Sequence, residues 1–143
     1  TTEQRELAKK LASWGADVII GTHPHVIQPV EYIENPDGRR TLVAYSLGNF
    51  ISAQNRGPRM LGGMINFDIV KNNNTGKVAI ENVVFSGVVT HYGYNASNVR
   101  IYPLADYTEE LASKHGVKSK TPDFSLQYLN NIINEVIDKQ FLK

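Results

Sequence analysis

Gly21-Thr22-His23-Pro24-His25 places two imidazoles two positions apart, with a proline between them. In an extended segment such residues project to the same side, and proline fixes one of the intervening backbone torsions. His23 and His25 could therefore serve one metal ion or two adjacent ones, or stand as two partly exposed loop histidines. A metal site needs more than this pair. Catalytic zinc usually takes three protein ligands and keeps an open position, and dinuclear hydrolases add carboxylates. Candidate carboxylates are few: Asp17 precedes the histidines by the length of a strand, at the wrong end of it, whereas Glu31 follows His25 by six residues. Glu31 fits either a site carboxylate or an exposed position on a hairpin, while Asp37 and Asp68 read as turn and solvent-facing residues.

Tyr45-Ser46-Leu47-Gly48-Asn49-Phe50 is the second segment of interest. The Asn49 amide can offer an acceptor and donors to a ligand, or bond to its own turn. Ser46 lacks the Gly-x-Ser-x-Gly setting of a serine-hydrolase nucleophile. Arg39, Arg40, Arg56 and Arg59 are loop cations, placed for solvent or for an anion, and His91 and His115 have no partners at ligand spacing.

Positioning these groups falls to short elements. Thr1 and Gln4 have the form of a capping box, and Leu7, Leu11 and Trp14 recur at helical spacing, predicting a helix over 2–14 that stops at Gly15. Asp17–Gly21 reads as a strand buried on both faces, as in the parallel part of an α/β sheet, and ligands of such sheets bind beyond the carboxyl ends of their strands. Extended segments near 29–33 and 41–46 flank Asn35-Pro36-Asp37-Gly38 and predict a hairpin. A Gly-rich basic loop over 55–63, alternation at Ile65, Phe67 and Ile69, a turn over 71–76 and a long strand from Val78 to Val89 follow. A short strand near 99–102, a short helix opened by Asp106 and Glu109, and a long amphipathic helix capped at Thr121 and running to Phe141 complete the prediction.

The chain has 143 residues, 15 Lys+Arg against 14 Asp+Glu, and no cysteine. That length suits one domain with one core, expected to span 1–143. A net charge of +1 argues against a nucleic-acid partner, and the lack of cysteine removes disulfides, thiolate metal sites and cysteine nucleophiles. No run approaches the roughly 18 apolar residues of a membrane-spanning helix. The sequence opens on Thr1-Thr2-Glu3-Gln4 without an initiator Met, which leads us to expect a piece of a longer protein.

The block Gly15-Ala16-Asp17-Val18-Ile19-Ile20-Gly21-Thr22-His23-Pro24-His25-Val26-Ile27-Gln28-Pro29-Val30-Glu31, followed by Tyr45–Phe50, resembles the bacterial capsule-synthesis proteins of the CapA type, associated with poly-γ-glutamate capsules. The specific resemblance covers about residues 1–52, and a looser one reaches Pro103-Leu104. It implies a calcineurin-like metallophosphoesterase fold, a β-sandwich flanked by helices, of which this α/β chain would be the C-terminal part. It further implies that His23 and His25 are metal ligands, although Thr22 stands between the glycine and the first histidine, and that Asn49 and Glu31 face the same pocket as substrate-binding residues. The superfamily's aspartate motifs lie N-terminal to the histidine pair and do not occur in the 22 residues before His23. The expected cofactor is therefore a divalent metal (Mn, Fe or Zn) of the parent protein, held weakly or not at all by this chain alone. The expected partners are the N-terminal half of the same protein, membrane capsule-synthesis proteins and a second copy of the chain; the expected location is the outer face of the bacterial membrane. Three functions stay open: a hydrolase or transferase acting at a phosphorus or acyl centre, a non-catalytic component of a capsule-assembly complex, and an unrelated α/β binding module.

Overall fold

A computed structural model describes residues 1–142. Helix α1 (Thr2–Ser13) begins with the predicted capping box: the Thr1 hydroxyl accepts the Gln4 N–H, and the Gln4 side chain accepts from the Thr1 amino group at 2.7 Å. Gly15, at φ +106°, turns the chain into strand β1 (Val18–Ile20). Strands β2 (Val30–Glu34) and β3 (Arg40–Ala44) form the predicted hairpin, with Gly38 at φ +79° in its turn. β1 pairs in parallel with β3, giving the order β1-β3-β2. The Asn35 amide donates to the Thr41 hydroxyl, which donates to Ala16 O at 2.7 Å, fastening the hairpin to the end of α1.

β1 differs from expectation. It lies at the edge of its sheet rather than inside it; Val18 and Ile19 are half-buried and Ile20 is 44% exposed. The parallel pairing was legible in its β-branched run, but the second flanking strand that would bury it is absent among the described residues.

Strands β4 (Leu61–Lys71), β5 (Val78–His91) and β6 (Arg100–Pro103) make an antiparallel sheet in that order, with an irregularity between Asn66 and Asp68. The predicted loop over 55–63 is shorter than its glycines suggested, because Gly62 and Gly63 lie inside β4. A Cβ on Gly63 would fall 2.1 Å from the Phe85 ring, and one on Gly62 2.0 Å from the Asn49 carbonyl, so these glycines serve close approach. Ile65 and Phe67 are half-buried, whereas Ile69, beyond the core, is 67% exposed.

Helix α2 (Glu109–Ser113) is capped by Thr108, not opened by Asp106, which belongs to the preceding 3-10 turn. The last helix, α3 (Leu126–Val136), is shorter than predicted. Its cap is Ser125, whose hydroxyl accepts the Tyr128 N–H, while Thr121 instead accepts from Gly57 N–H, 64 residues away. Phe141 sits in a separate 3-10 turn but is still buried.

The chain is thus mixed α/β. One apolar cluster joins the two sheets to the C-terminal helices, drawing Leu42 and Ala44 from the first sheet, Leu61, Phe85 and Val89 from the second, and Leu129 and Ile133 from α3. A smaller cluster of Ala8, Val43 and Tyr45 seats α1 on the other face of the first sheet. No helix among the described residues is long and apolar enough to cross a membrane.

Candidate functional site

Because β1 and β3 are parallel, the segments after them emerge at the same end of the sheet. Gly21 N–H donates to Ala44 O, carrying the ladder one step further before the histidines depart. Gly48, at φ +67°, turns the chain after β3 and brings Asn49 back toward the loop that follows β1. This is the crevice position at which open α/β sheets bind ligands.

Both histidines have left-handed backbones, His23 at φ +98° and His25 at φ +61°. Such conformations cost about 1–3 kcal/mol for a residue with a Cβ and concentrate at functional sites. The rings are exposed, tilted by 42° and 6.2 Å apart between centroids. His25 Nδ1 lies 2.8 Å from Asn49 Oδ1. The Asn49 amide nitrogen donates to Arg59 O at 3.1 Å and Gln54 Oε1 at 3.2 Å, with His25 O farther away at 3.5 Å. Asn49 is 9% exposed, and its bonds reach beyond its own turn.

Glu31 is not gathered into this group. Its carboxylate accepts from Arg5 Nη1 at 2.8 Å and from the Tyr45 hydroxyl at 2.7 Å, and Arg5 also lies over the Tyr45 ring, 5.2 Å from its centroid. Burial, reinforced by the neighbouring carboxylate, pushes the Tyr45 hydroxyl up to about 12. Glu31 therefore joins α1 to the first sheet. Arg39 is likewise engaged by Asp37 at 2.7 Å and Asp17 at 3.6 Å.

No group of three or more His, Asp or Glu side chains among the described residues is arranged to hold a metal ion. The residues present fit a metal only as a partial set of two imidazoles. His25 is suited to that part, because a bond from one ring nitrogen to a neighbouring oxygen is how ligating histidines are oriented. Gln54 and the Arg59 carbonyl are members of the site that the sequence did not reveal. Gln54 carries no motif signal, and a backbone carbonyl has no side-chain identity to read.

His91 and His115 occupy a different setting. His115 is 3% exposed; its Nε2–H donates to Thr90 O at 2.9 Å and its Nδ1 accepts from Val117 N–H at 2.9 Å. Burial, with a smaller contribution from His91, pushes its pKa down to about 4, against the Thr90 hydrogen bond. His91 packs 4.8 Å from it and bonds to the Tyr107 hydroxyl at 2.8 Å. Burial, reinforced by Arg100, also lowers the His91 pKa. These two rings are core components.

Comparison with known proteins concentrates on the first sheet. The family described as Bacterial capsule synthesis protein PGA_cap matches residues 1–54, which include His23, His25, Glu31, Asn49 and Gln54. The chain is 35% identical over 77 residues to the PGA biosynthesis protein CapA of Bacillus subtilis (strain 168), a match covering 54% of this chain and 19% of that protein. It is 41% identical over 51 residues to the Capsule biosynthesis protein CapA of Bacillus anthracis, covering 36% of this chain and 11% of that protein. The chain thus spans a minor part of the length of either relative. No solved structure matches it.

Proposed function

We propose, from the premise that residues 1–54 belong to the bacterial capsule-synthesis family, that this segment presents part of a divalent-metal site for hydrolysis or transfer at a phosphorus or acyl centre. The observation that carries the reading is the pair of strained, exposed histidines at the carboxyl end of parallel strands, one of them oriented by Asn49. His23 and His25 would hold the metal, and a divalent ion there would polarise a substrate oxygen and acidify water. The chain's own contribution is to aim the two rings and to leave their outer faces open. Two sheets sharing one core, with α1 on the outer face of the first, support a metallophosphoesterase-like sandwich.

The remaining ligands would come from outside these 143 residues. Leu42 N–H bonds to Asp17 O and Gly21 N–H to Ala44 O, so strand alternation turns the N–H and C=O groups of Val18 and Ile20 toward the free edge of β1. Between α1 and the face of the same sheet runs an apolar groove of about 190 Å³, lined by Leu7, Leu11, Ile19 and Tyr45 and ending at Gly21 and Thr22 next to the histidines. A strand from the remainder of a protein as long as the relatives would pair with the free edge of β1 and bring its ligands to the site. The same groove supports a second reading, a non-catalytic component of a capsule-assembly complex.

Titration with Mn²⁺, followed by NMR line broadening of the four histidine rings, separates the two readings. The expected result is weak binding that broadens the His23 and His25 rings and the neighbouring Asn49 side-chain amide, spares His91 and His115, and no longer broadens the Asn49 amide in the His23→Ala, His25→Ala double variant. Broadening that is absent at millimolar Mn²⁺, or that persists in the double variant, would overturn the metal reading and leave the assembly reading standing.

A further inference from the structure

The acceptors around Asn49 settle which ring nitrogen of His25 carries a proton. The Asn49 amide has one oxygen, which only accepts, and one nitrogen, which only donates. On its nitrogen side stands the Arg59 backbone carbonyl at 3.1 Å, another pure acceptor. Rotating the amide by half a turn would set two oxygens against each other at a position 9% exposed, where water cannot easily intervene. Gln54 could rotate its own amide to follow such a flip, but a backbone carbonyl cannot. The oxygen of Asn49 must therefore face His25, and the nitrogen facing it at 2.8 Å must donate.

We infer that Asn49 is a positioning residue: it holds His25 in the Nδ1–H form and leaves the Nε2 lone pair facing outward, free for a ligand. The restraint is anchored in the second sheet. The Tyr92 hydroxyl, just past β5, donates to Gln54 O at 3.0 Å, and β4 packs so closely on the Asn49 carbonyl that Gly62 has no room for a Cβ. Asn49 so occupied has its oxygen and both amide hydrogens engaged within the chain, which moves it from the expected substrate-binding role to orientation of the histidine. His23 is the natural contrast, since no hydrogen bond among the described residues involves its ring. The functional sense of the inference rests on His25 being a ligand; the hydrogen-bond argument does not.

Long-range ¹H–¹⁵N correlation spectra of the metal-free chain, recorded where the imidazoles are neutral, read the tautomer directly. His25 is expected as Nδ1–H, with His23 in the same spectrum as the unrestrained reference. In Asn49→Ala the preference at His25 should relax toward that of His23. In Gln54→Ala it should persist, because the Arg59 carbonyl alone still forbids the flipped amide. Zinc titration should show a loss of about 10-fold in affinity for Asn49→Ala, the lower end of what lost orienting partners cost. Nε2–H at His25 in the unaltered chain would overturn the inference without any variant having to fold, as would an unchanged Nδ1–H form in a folded Asn49→Ala. A chain that keeps Nδ1–H but shows no zinc response sinks the metal reading alone.

Discussion

The histidines at the mouth of the first sheet and those under the second are held in opposite ways. His115 is enclosed, and the backbone satisfies both of its ring nitrogens, one as donor and one as acceptor. His25 is exposed, engages one nitrogen with Asn49, and leaves the other without a protein partner among the described residues. His115 and His91 sit on ordinary negative-φ backbone, whereas His23 and His25 are both left-handed. A ring whose bonds are complete contributes packing; a ring left incomplete at the surface keeps a nitrogen open to a group outside the fold. The same residue type thus supports the core in one sheet and is presented outward by the other.

The sharpest way to break this contrast is deletion of each ring. His115→Ala would leave a cavity and strand the Thr90 carbonyl and the Val117 N–H, and should cost about 3–5 kcal/mol in urea unfolding. His25→Ala should cost less than about 1 kcal/mol, because the ring it removes is exposed and its removal opens the oxygen side of Asn49 to water, unlike the enclosed nitrogen side. Comparable losses from the two variants would show that the outer pair is as structural as the inner one.

Acid should act on the inner pair next. His115 is neutral in the fold down to about 4, but titrates near 6.5 once unfolded. Between those values the unfolded chain binds more protons, so stability is full above pH 6.5 and falls as the pH drops toward 4. The total loss from this group is about 3 kcal/mol, roughly half of which should appear between pH 6.5 and 5. His91, shifted in the same direction, steepens the decline. Urea unfolding that stays flat across that interval would show that the inner rings are not held neutral.

The contrast was half legible in the sequence. The capping box, the hairpin turn and the β-branched run before His23 are local signals, so α1, the β2–β3 hairpin and the parallel placement of β1 followed from them. The long range was not. Gly62 and Gly63 looked like loop residues because glycine marks turns more often than it marks a strand pressed against Asn49 and Phe85. Thr121-Pro122 looked like a helix start because nothing nearby showed that Thr121 bonds to Gly57. Asn49 stood out by type, but its service to His25 depends on the Arg59 carbonyl, which every residue possesses. Glu31 was chosen by proximity to His25, and Arg5, 26 residues away, engages it instead.

The Glu31 junction gives a smaller effect. Tyr45→Phe removes a hydroxyl that donates to the carboxylate at 2.7 Å and should destabilise by about 1 kcal/mol. Arg5 is half exposed, so its coupling to Glu31 in a double-mutant cycle should be below about 0.5 kcal/mol and fade with added salt. If instead Glu31→Gln leaves stability unchanged and removes the metal response, the carboxylate belongs with His25 after all, and the site is larger than the imidazole pair.

The smallest effect is the most telling in sign. His23 has a φ of +98° and no ring hydrogen bond among the described residues, so replacing it by glycine removes backbone strain and no side-chain hydrogen bond. Relief of a left-handed Cβ is worth about 1–2 kcal/mol, and the extra freedom of glycine in the unfolded chain takes back up to about 1. His23→Gly should therefore raise stability by about 0.5–1 kcal/mol while weakening the Mn²⁺ response, whereas His91→Gly, on a β-strand against Tyr107, should only destabilise. A residue whose removal strengthens the fold is retained for something other than the fold. A loss of stability in His23→Gly would place that histidine with the inner pair and leave the outer site with His25 alone.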